Sequence, residues 1–370
     1  MQIAPKPGRR SGRYWAVMDK RLVEKFFAEG KAFLGVEYPF ICGAMTWVSG
    51  PQLVAAVANA GGFACLAGGN ASPDALEDQI RQTRRLTDKP FGVNLIAMAP
   101  AYQEQLARVR NLQCPFVVYA GLPRRRDLAC VQEGGAKTLC FAPTRMVARR
   151  MLKNGADALI VEGMEGGGHV GEVSLTVLLQ QILFSDPGVP VFAGGGIAAG
   201  RMCAHLFLMG AAGVQMGTRF AVAAESRAHP EFKQRYIKAR AREAVVSRSI
   251  DRRLPVIAVR ALRNRSTEDF NRLQVQLLQA LETGELSRDE VHQRLEGFWE
   301  NRLHDAVIDG DFHHGSMMAG QSVGLVNREQ PAEEIIRELV TDTAEELERV
   351  RQKLGTLSAE AGISQSGPGA

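Results

Sequence analysis

DALIVEGMEGGGHVGE (residues 157–172) and VPVFAGGG (residues 189–196) indicate the fold of this chain most clearly. Each stretch opens with a short and continuously apolar run, which is the pattern of a parallel strand buried on both faces. Each run then passes into a glycine-rich segment, and the first segment presents one histidine, His169. This arrangement is typical of an α/β barrel, in which the chemistry lies at the carboxyl ends of the strands.

Six further apolar runs continue the pattern along the chain. They are YPFICGA (38–44), GFACLAG (62–68), PFGVNLI (90–96), PFVVYAG (115–121), AKTLCFA (136–142) and AAGVQMG (211–217). Amphipathic stretches lie between them and begin at suitable residues such as Ser72-Pro73 and Pro143-Thr144, because Ser and Thr cap helices and Pro fits the first turn. Eight strands alternating with helices predict a closed (β/α)8 TIM barrel.

The barrel needs only part of the 370 residues. We predict an N-terminal extension (1–35), the barrel (36–225), a smaller helical subdomain inserted after strand 8 (226–326), a C-terminal helix returning to the barrel (327–355) and a disordered tail (356–370). The subdomain is predicted from charged, strongly periodic segments, and it would pack beside or over the barrel mouth. The last helix is predicted to start at Pro331 and to stop at Gly355.

Composition excludes several classes of function. The 45 Lys+Arg against 40 Asp+Glu give a net charge of +5, and the basic residues form short separate clusters, so we expect no nucleic-acid partner. The six cysteines form no C-x-x-C pair, which predicts no metal site and a reduced protein. The chain shows no secretory signal and no apolar segment of about 18 residues, so we expect a cytoplasmic protein with no membrane contact.

Glycine turns after the last two predicted strands indicate a phosphate site. Gly194, Gly195 and Gly196 precede an amphipathic helix, and Gly217-Thr218 follow the next strand. Backbone N–H groups in such turns bind phosphate, and barrels commonly build phosphate sites from the loops after strands 7 and 8. Either turn alone is equally well explained as a strand end, but together they favour a binding function.

The formal G-x-G-x-x-G at Gly166, Gly168 and Gly171 is not a dinucleotide fingerprint. Four residues separate it from the strand end at Val161, and the acid at a suitable distance, Asp186, lies in a turn. This segment is therefore interpreted as a glycine-lined loop that presents His169.

The motifs together resemble the nitronate monooxygenase (2-nitropropane dioxygenase) family of FMN-dependent barrels, and closely its relatives, the type II flavin class of enoyl-acyl-carrier-protein reductases. The matching segments are YPFICGAMTWVS, AGGFACLAGGN, TDKPFGVNL, GADALIVEGMEGGGHVG, VPVFAGGGIA, GAAGVQMGTRF and HGSMMAGQSVGLV. The resemblance implies that His169 is the catalytic residue and that FMN is bound. We refer to the residues expected at FMN as the FMN set: Gly43, Ala44, Met45, Asn94, Glu162, Gly167, Gly195, Gly196, Gln215, Met216, Gly217 and Thr218.

The residue types suit these roles. Gly43 and Ala44 leave room for a flat ring, and Asn94 can hydrogen-bond its edge. A histidine beside the ring can give or take a proton near neutral pH. The flavin would supply the electron chemistry and the protein the positioning.

Three functions fit this site. The first is oxidation of alkyl nitronates or nitroalkanes by O2 to carbonyl compounds and nitrite, with His169 as the acid/base. The second is reduction of enoyl thioesters with NADH or NADPH as reductant, which Glu162 favours because many nitronate monooxygenases are expected to have Gln there. The third is a non-catalytic FMN-binding sensor or scaffold. We rank nitronate oxidation first, and apolar-striped helices in 226–326 allow a homodimer.

Overall fold

In the computed structural model, which describes residues 20–360, eight of the eleven strands are parallel and close into a barrel. The strands in chain order are β1 (Phe40–Cys42), β2 (Phe63–Ala67), β3 (Gly92–Ile96), β4 (Phe116–Ala120), β5 (Lys137–Phe141), β6 (Ala158–Glu162), β7 (Gly168–His169), β8 (Val191–Gly194), β9 (Gly213–Met216), β10 (Ala244–Ser247) and β11 (Val259–Leu262). The barrel order is β1-β2-β3-β4-β5-β6-β8-β9, and β9 pairs with β1 to close it. Each predicted apolar run contains one barrel strand, so the predicted TIM barrel is confirmed.

Helices connect the barrel strands, and further helices precede and follow the barrel. They are α1 (Lys20–Leu34), α2 (Pro51–Asn59), α3 (Pro73–Leu86), α4 (Tyr102–Asn111), α5 (Arg125–Gln132), α6 (Arg145–Asn154), α7 (Leu175–Ile182), α8 (Gly200–Leu208), α9 (Thr218–Ala221), α10 (Pro230–Lys238), α11 (Arg265–Glu282), α12 (Arg288–Val307) and α13 (Ala332–Glu360). The predicted caps form, since Ser72 accepts a hydrogen bond from Ala75 N at 3.2 Å and Thr144 accepts one from Val147 N at 3.1 Å. Among the described residues, no helix has the length and apolarity needed to span a membrane.

Helix α1 closes the amino-terminal end of the barrel. The ring of Phe27 packs against Phe40 and Phe207, with centroid distances of 5.7 and 4.8 Å. A Cβ on Gly30 would lie only 2.0 Å from the carbonyl oxygen of Ala212, so the helix backbone touches the residue that precedes β9. Burial of a phenylalanine of this kind contributes about 1.5–3 kcal/mol. With this end covered, the carboxyl ends of the strands are the open end of the barrel.

Helix α13 packs against α8 and is longer than predicted. The hydroxyl of Thr343 donates to the carbonyl oxygen of Gly200 at 3.0 Å, and a Cβ on Gly200 would lie 2.5 Å from Leu339 O. The predicted stop at Gly355 is wrong, because the helix continues to Glu360. A glycine inside an exposed helix costs only about 1 kcal/mol and does not by itself end it. Part of the predicted tail is therefore helical, while 361–370 and the first 19 residues lie outside the described part of the chain.

The segment after the barrel is not purely helical, which corrects the prediction for 226–326. Strands β10 and β11 pair antiparallel, and β11 also pairs with β7 in the loop after β6. Helices α11 and α12 pack on this sheet around a separate apolar cluster that includes Phe270, Leu295 and Trp299. The pairing of Val259 with His169 therefore joins the predicted catalytic loop directly to the subdomain.

Candidate active site

Gln215 lies near the carboxyl end of β9, between the ends of β1 and β8. Its side chain lies over Gly43, where an added Cβ would be 3.2 Å from Gln215 Cδ, and beside Gly194. The residue is 7% exposed, and its Oε1 is buried with no hydrogen-bond partner among the described residues. An unsatisfied buried acceptor costs roughly 1–3 kcal/mol, so this oxygen fits a donor supplied by a bound ligand. The residues present therefore fit a polar, flat cofactor lying across the strand ends.

The loops after β6 and β8 meet at two glycines. A larger residue at either position would displace atoms of the facing loop. Gly195 has φ +93°, and a Cβ on it would lie 2.8 Å from the carbonyl oxygen of Gly163. Gly196 has φ +74°, and its added Cβ would lie 2.9 Å from Cβ of Glu165. L-residues rarely adopt such φ values, so both positions favour glycine on conformational as well as steric grounds.

An open cleft of about 490 Å³ lies beside Gly196. Its lining residues are Glu165, Gly196, Ala239, Arg240, Ala241, Gln321, Ser322, Gly324 and Leu325. The Glu165 carboxylate accepts from Leu175 N at 3.0 Å and so caps the start of α7. The cleft gives an elongated ligand a route from the glycine turn towards the Arg240 side of the subdomain.

The segment of 317–320, part of the MMAGQSVGLV motif, joins the loops after β6 and β9. Gly320 N donates to Thr218 Oγ1 at 3.0 Å. A Cβ on Gly167 would lie 2.5 Å from Gly320 N and 2.6 Å from the carbonyl carbon of Ala319. Two members of the FMN set that lie far apart in the sequence, Gly167 and Thr218, are thus brought against the same short segment.

Met45 lies at the end of β1 and next to the end of β9. Its Sδ would be 3.5 Å from a Cβ on Gly217, and its backbone N donates to Ser49 Oγ at 3.0 Å. Ser49 in turn donates to the carbonyl oxygen of Gly43 at 3.0 Å. These bonds hold the turn after β1 in one conformation. Ala44, between Gly43 and Met45, is half-buried in this turn.

Asn94 and Met216 lie within strands. Asn94 is 7% exposed in β3, and its Nδ2 donates to the carbonyl oxygen of Val118 at 3.0 Å. Met216 is buried as the last residue of β9. Apart from Asn94, the FMN set lies at the carboxyl ends of β1, β6, β8 and β9. The structure thus brings the set to one end of the barrel.

Glu162, the last residue of β6, is a carboxyl group with reduced access to water. Burial raises its pKa from 4.5 to about 7. Because burial disfavours the charged form, this side chain takes up or releases a proton near neutral pH. A protonated Glu162 offers a hydrogen-bond donor, as the amide of Gln would at the same position.

The raised pKa predicts a pH-dependent effect of Glu162→Gln on stability. The unfolded chain loses this proton near pH 4.5 and the folded chain near pH 7, so the folded state loses stability as the pH rises between these values. At about pH 8 we expect Glu162→Gln to raise the free energy of unfolding by at most about 3 kcal/mol, and with it the melting temperature. Near pH 4.5 we expect little effect. Thermal melts of both proteins at matched flavin content test this. A difference that is the same at every pH would contradict it.

His169 contacts a carboxylate from outside the barrel. Its Nε2 lies 3.0 Å from Oε2 of Glu296 on α12, and the two side chains are 46% and 30% exposed. Burial opposes the ionisation of Glu296, but the hydrogen bond and charge of His169, with the charge of His292, hold the pKa of this carboxyl below its usual value. An imidazole bonded to an ionised carboxylate is an arrangement suited to acid/base chemistry.

One face of α12 lies across the mouth of the barrel. Glu296, Glu300 and His304 follow one another at intervals of four residues, so they share a helix face. Glu296 reaches His169 after β6, Glu300 is hydrogen-bonded by Asn70 after β2, and burial raises the pKa of Glu300. Further along, the ring of His304 makes an edge contact with Trp47 after β1 at a centroid distance of 4.9 Å. These contacts make α12 a lid over the strand ends.

The sequence did not predict that residues of α12 lie at the site. The only signal available was a polar residue at every fourth position beside the apolar face of an amphipathic helix, and nothing in the sequence related these residues to the barrel. His304, Asp305 and Asp309 also bring one ligand atom each within 4.8 Å of one another at the end of α12. This group lies at the carboxyl end of α12, and no other feature of residues 20–360 indicates a metal there.

The thiols of Cys42 and Cys65 are buried, and His205 lies on the outside of the barrel. Cys42 and Cys65 are buried in the strands, where burial raises the pKa of Cys65 to about 12 and that of Cys42 also above its usual value. His205 lies on α8, where its Nε2 is 2.9 Å from Glu346 on α13.

The fold and the site define an oxidoreductase barrel with a glycine-lined mouth, an imidazole–carboxylate pair and a helix across the strand ends. The chain belongs to the nitronate monooxygenase family, whose sequence profile matches residues 29–116 and 99–342.

Among curated relatives, it is 32% identical over 343 residues to a (3aS,4S,5R,7aS)-5-hydroxy-7a-methyl-1-oxo-octahydro-1H-indene-4-carboxyl-CoA dehydrogenase of Mycobacterium tuberculosis, which covers 85% of this chain and 95% of the relative. It is 28% identical over 366 residues to a nitronate monooxygenase of Pseudomonas aeruginosa, covering 84% and 97%.

Among solved structures, FabK of Thermotoga maritima matches with a TM-score of 0.76 and 34% identity, covering 87% of this chain and 98% of FabK. Nitroalkane oxidase of Streptomyces ansochromogenes matches with a TM-score of 0.71 and 27% identity, covering 87% and 99%. The recognition of this family from the sequence is thus confirmed, together with the enzyme class.

Proposed function

We propose that this protein is an FMN-dependent oxidoreductase that acts on acyl thioesters, with His169 moving a proton at the carbon next to the thioester carbonyl. The observation that carries the proposal is the imidazole of His169, held at 3.0 Å by Glu296 beside the glycine-lined strand ends. A proton-transfer group at this place serves any reaction in which an acidified C–H bond is made or broken next to a flavin.

The FMN set would divide between the two ends of the cofactor. Backbone N–H groups around Gly195 and Gly196, with the hydroxyl of Thr218, would hold the phosphate. The unsatisfied Oε1 of Gln215 and the carboxyl of Glu162 would face the ring, where hydrogen bonds orient it and adjust its electron affinity. The flavin, when bound, supplies the transfer of an electron pair. The chain supplies position, exclusion of water by α12, and the proton.

Sequence identity to the named relatives favours acyl thioesters over nitronates as substrates. This reverses the order that the sequence alone suggests. The relatives named as CoA dehydrogenases, from Mycobacterium tuberculosis and Rhodococcus jostii, are 32% and 31% identical to this chain, while the named nitronate monooxygenases of Pseudomonas aeruginosa and Paraburkholderia phytofirmans are 28% and 26% identical. Glu162 supports the same order, because the resemblance leads one to expect Gln in many nitronate monooxygenases.

Nitronate oxidation is the second candidate. The similarity to nitroalkane oxidase, 27% identical with a TM-score of 0.71, favours it. A nitroalkane and an acyl thioester are both carbon acids, so the same histidine could remove the proton from either. NADH or NADPH is required only in the direction that reduces an enoyl thioester.

Paired assays on one preparation test the substrate class. Acyl-CoA with an artificial electron acceptor, and crotonyl-CoA with NADH or NADPH, are compared with O2 consumption on propyl nitronate. We expect turnover with at least one of the thioesters at a kcat/KM at least about tenfold above that for the nitronate. Turnover with the nitronate alone would contradict the thioester proposal and establish the second candidate. FMN-loaded protein without turnover in any of these assays would indicate the sensor or scaffold function.

A further inference from the structure

The subdomain, and not the barrel, supplies the described carboxylate that contacts His169. The backbone of His169 is fixed because β7 pairs with β11, with Val259 opposite His169 and Arg260 opposite Gly168. This pairing fixes the main chain but leaves the imidazole free to rotate. The contact between Nε2 and Glu296 Oε2 at 3.0 Å is therefore what sets the orientation of the ring.

The position of Glu296 is itself well determined. Leu295 and Trp299, on either side of it in α12, are 1% and 2% exposed in the apolar cluster shared with Phe270. Glu296 lies one turn after His292, whose Nδ1 is 3.1 Å from the carbonyl oxygen of Pro255. A carboxylate on a helix anchored in this way can hold a partner in one geometry, which a flexible surface acid cannot.

We propose that Glu296 is a positioning residue that fixes His169 as the Nε2–H tautomer and so leaves the Nδ1 lone pair for the substrate. The inference rests on the proposed function, because it gives His169 the acid/base role. In the step it supports, the substrate C–H bond breaks, the proton goes to Nδ1, and the electron pair stays on the carbon. Nε2–H remains bonded to the carboxylate, which stabilises the positive charge formed on the ring.

In this arrangement the subdomain contributes to catalysis. The barrel carries the FMN set and His169, but the carboxylate that orients His169 comes from α12, which lies across the strand ends. The site is therefore complete only while the lid helix is in place. Movement of α12 away from the mouth would release the imidazole at the same moment as it admits water.

Glu296→Gln tests the inference in the flavin-loaded protein. Gln has the same shape, but its neutral amide offers Nε2–H a weaker acceptor than a carboxylate and adds a donor that would favour the other tautomer. We expect kcat to fall about 10²-fold or more with KM within about twofold, as when a carboxylate that orients a catalytic histidine is neutralised. In ¹⁵N-histidine NMR spectra, His169 should be the Nε2–H tautomer in the parent protein and lose that preference in the variant.

Asp289→Asn is the matched control, since Asp289 is an exposed acid in the first turn of the same helix. We expect unchanged kcat and an unchanged His169 tautomer. In a His169→Asn background, Glu296→Gln should cause no further loss of kcat. Unchanged kcat in Glu296→Gln, an unchanged tautomer, or an equal loss in both backgrounds would each overturn the inference. If His169→Asn has no effect, the proposed function fails; if only Glu296→Gln has none, that function stands without this inference.

Discussion

His169→Asn is expected to lower kcat for the thioester by about 10²–10⁴-fold while the protein keeps its FMN, because Asn cannot take up a proton and general acid/base catalysis contributes an effect of this size. The His169 side chain is 46% exposed, so its replacement removes little packing. Anaerobic mixing of each FMN-loaded protein with acyl-CoA, followed by the visible absorbance of the flavin, measures the rate of flavin reduction directly.

His205→Asn provides the control for that substitution. His205 also bonds a carboxylate, Glu346 at 2.9 Å, but does so between α8 and α13, away from the open end of the barrel. The control should reduce its flavin at the parent rate. A His169→Asn protein that matched the control would remove His169 from the catalytic role.

Gly195→Ala is expected to weaken FMN binding by about 10²-fold. A Cβ at this position meets Gly163 O at 2.8 Å, and φ is +93°, where an L-residue costs about 1–2 kcal/mol before any clash is counted. The substitution must move the loop after β6 or the loop after β8, and the predicted phosphate site needs both in place. Titration of the flavin-stripped proteins with FMN, followed by quenching of flavin fluorescence, gives the dissociation constants.

Gly155→Ala separates steric displacement from backbone strain. Gly155 has the same φ of +93°, at the end of α6, but an added Cβ there meets nothing within 4 Å. We expect this variant to be somewhat less stable and to bind FMN as tightly as the parent. Equal affinities for FMN in all three proteins would mean that the glycine turn after β8 does not hold the cofactor.

The barrel could be predicted from the sequence because of a property of its strands. Strands such as β6 and β8 are covered on both faces, so each carries a continuous apolar run, Ala158 to Val161 in β6 and Val191 to Ala193 in β8, and a glycine lies at or directly after the end of the strand. The ends of such strands meet at one end of a barrel, which explains why residues as distant as Gly43 and Thr218, both expected at FMN from the family resemblance, lie at the same end.

The contacts that complete the site could not be predicted in this way. Strand β7 has two residues, and it exists because β11 pairs with it. Tertiary pairing of this kind leaves no periodicity in either segment. Glu296 likewise reads as one more polar residue of an amphipathic helix, and only the packing of α12 across the strand ends places it against His169.

The flavin content of the protein tests directly whether the barrel binds FMN. Protein purified under native conditions, or incubated with excess FMN and desalted, is denatured and the released flavin identified by chromatography. We expect FMN in an amount approaching one molecule per chain. Release of no flavin after this incubation, or of FAD alone from the natively purified protein, would contradict it.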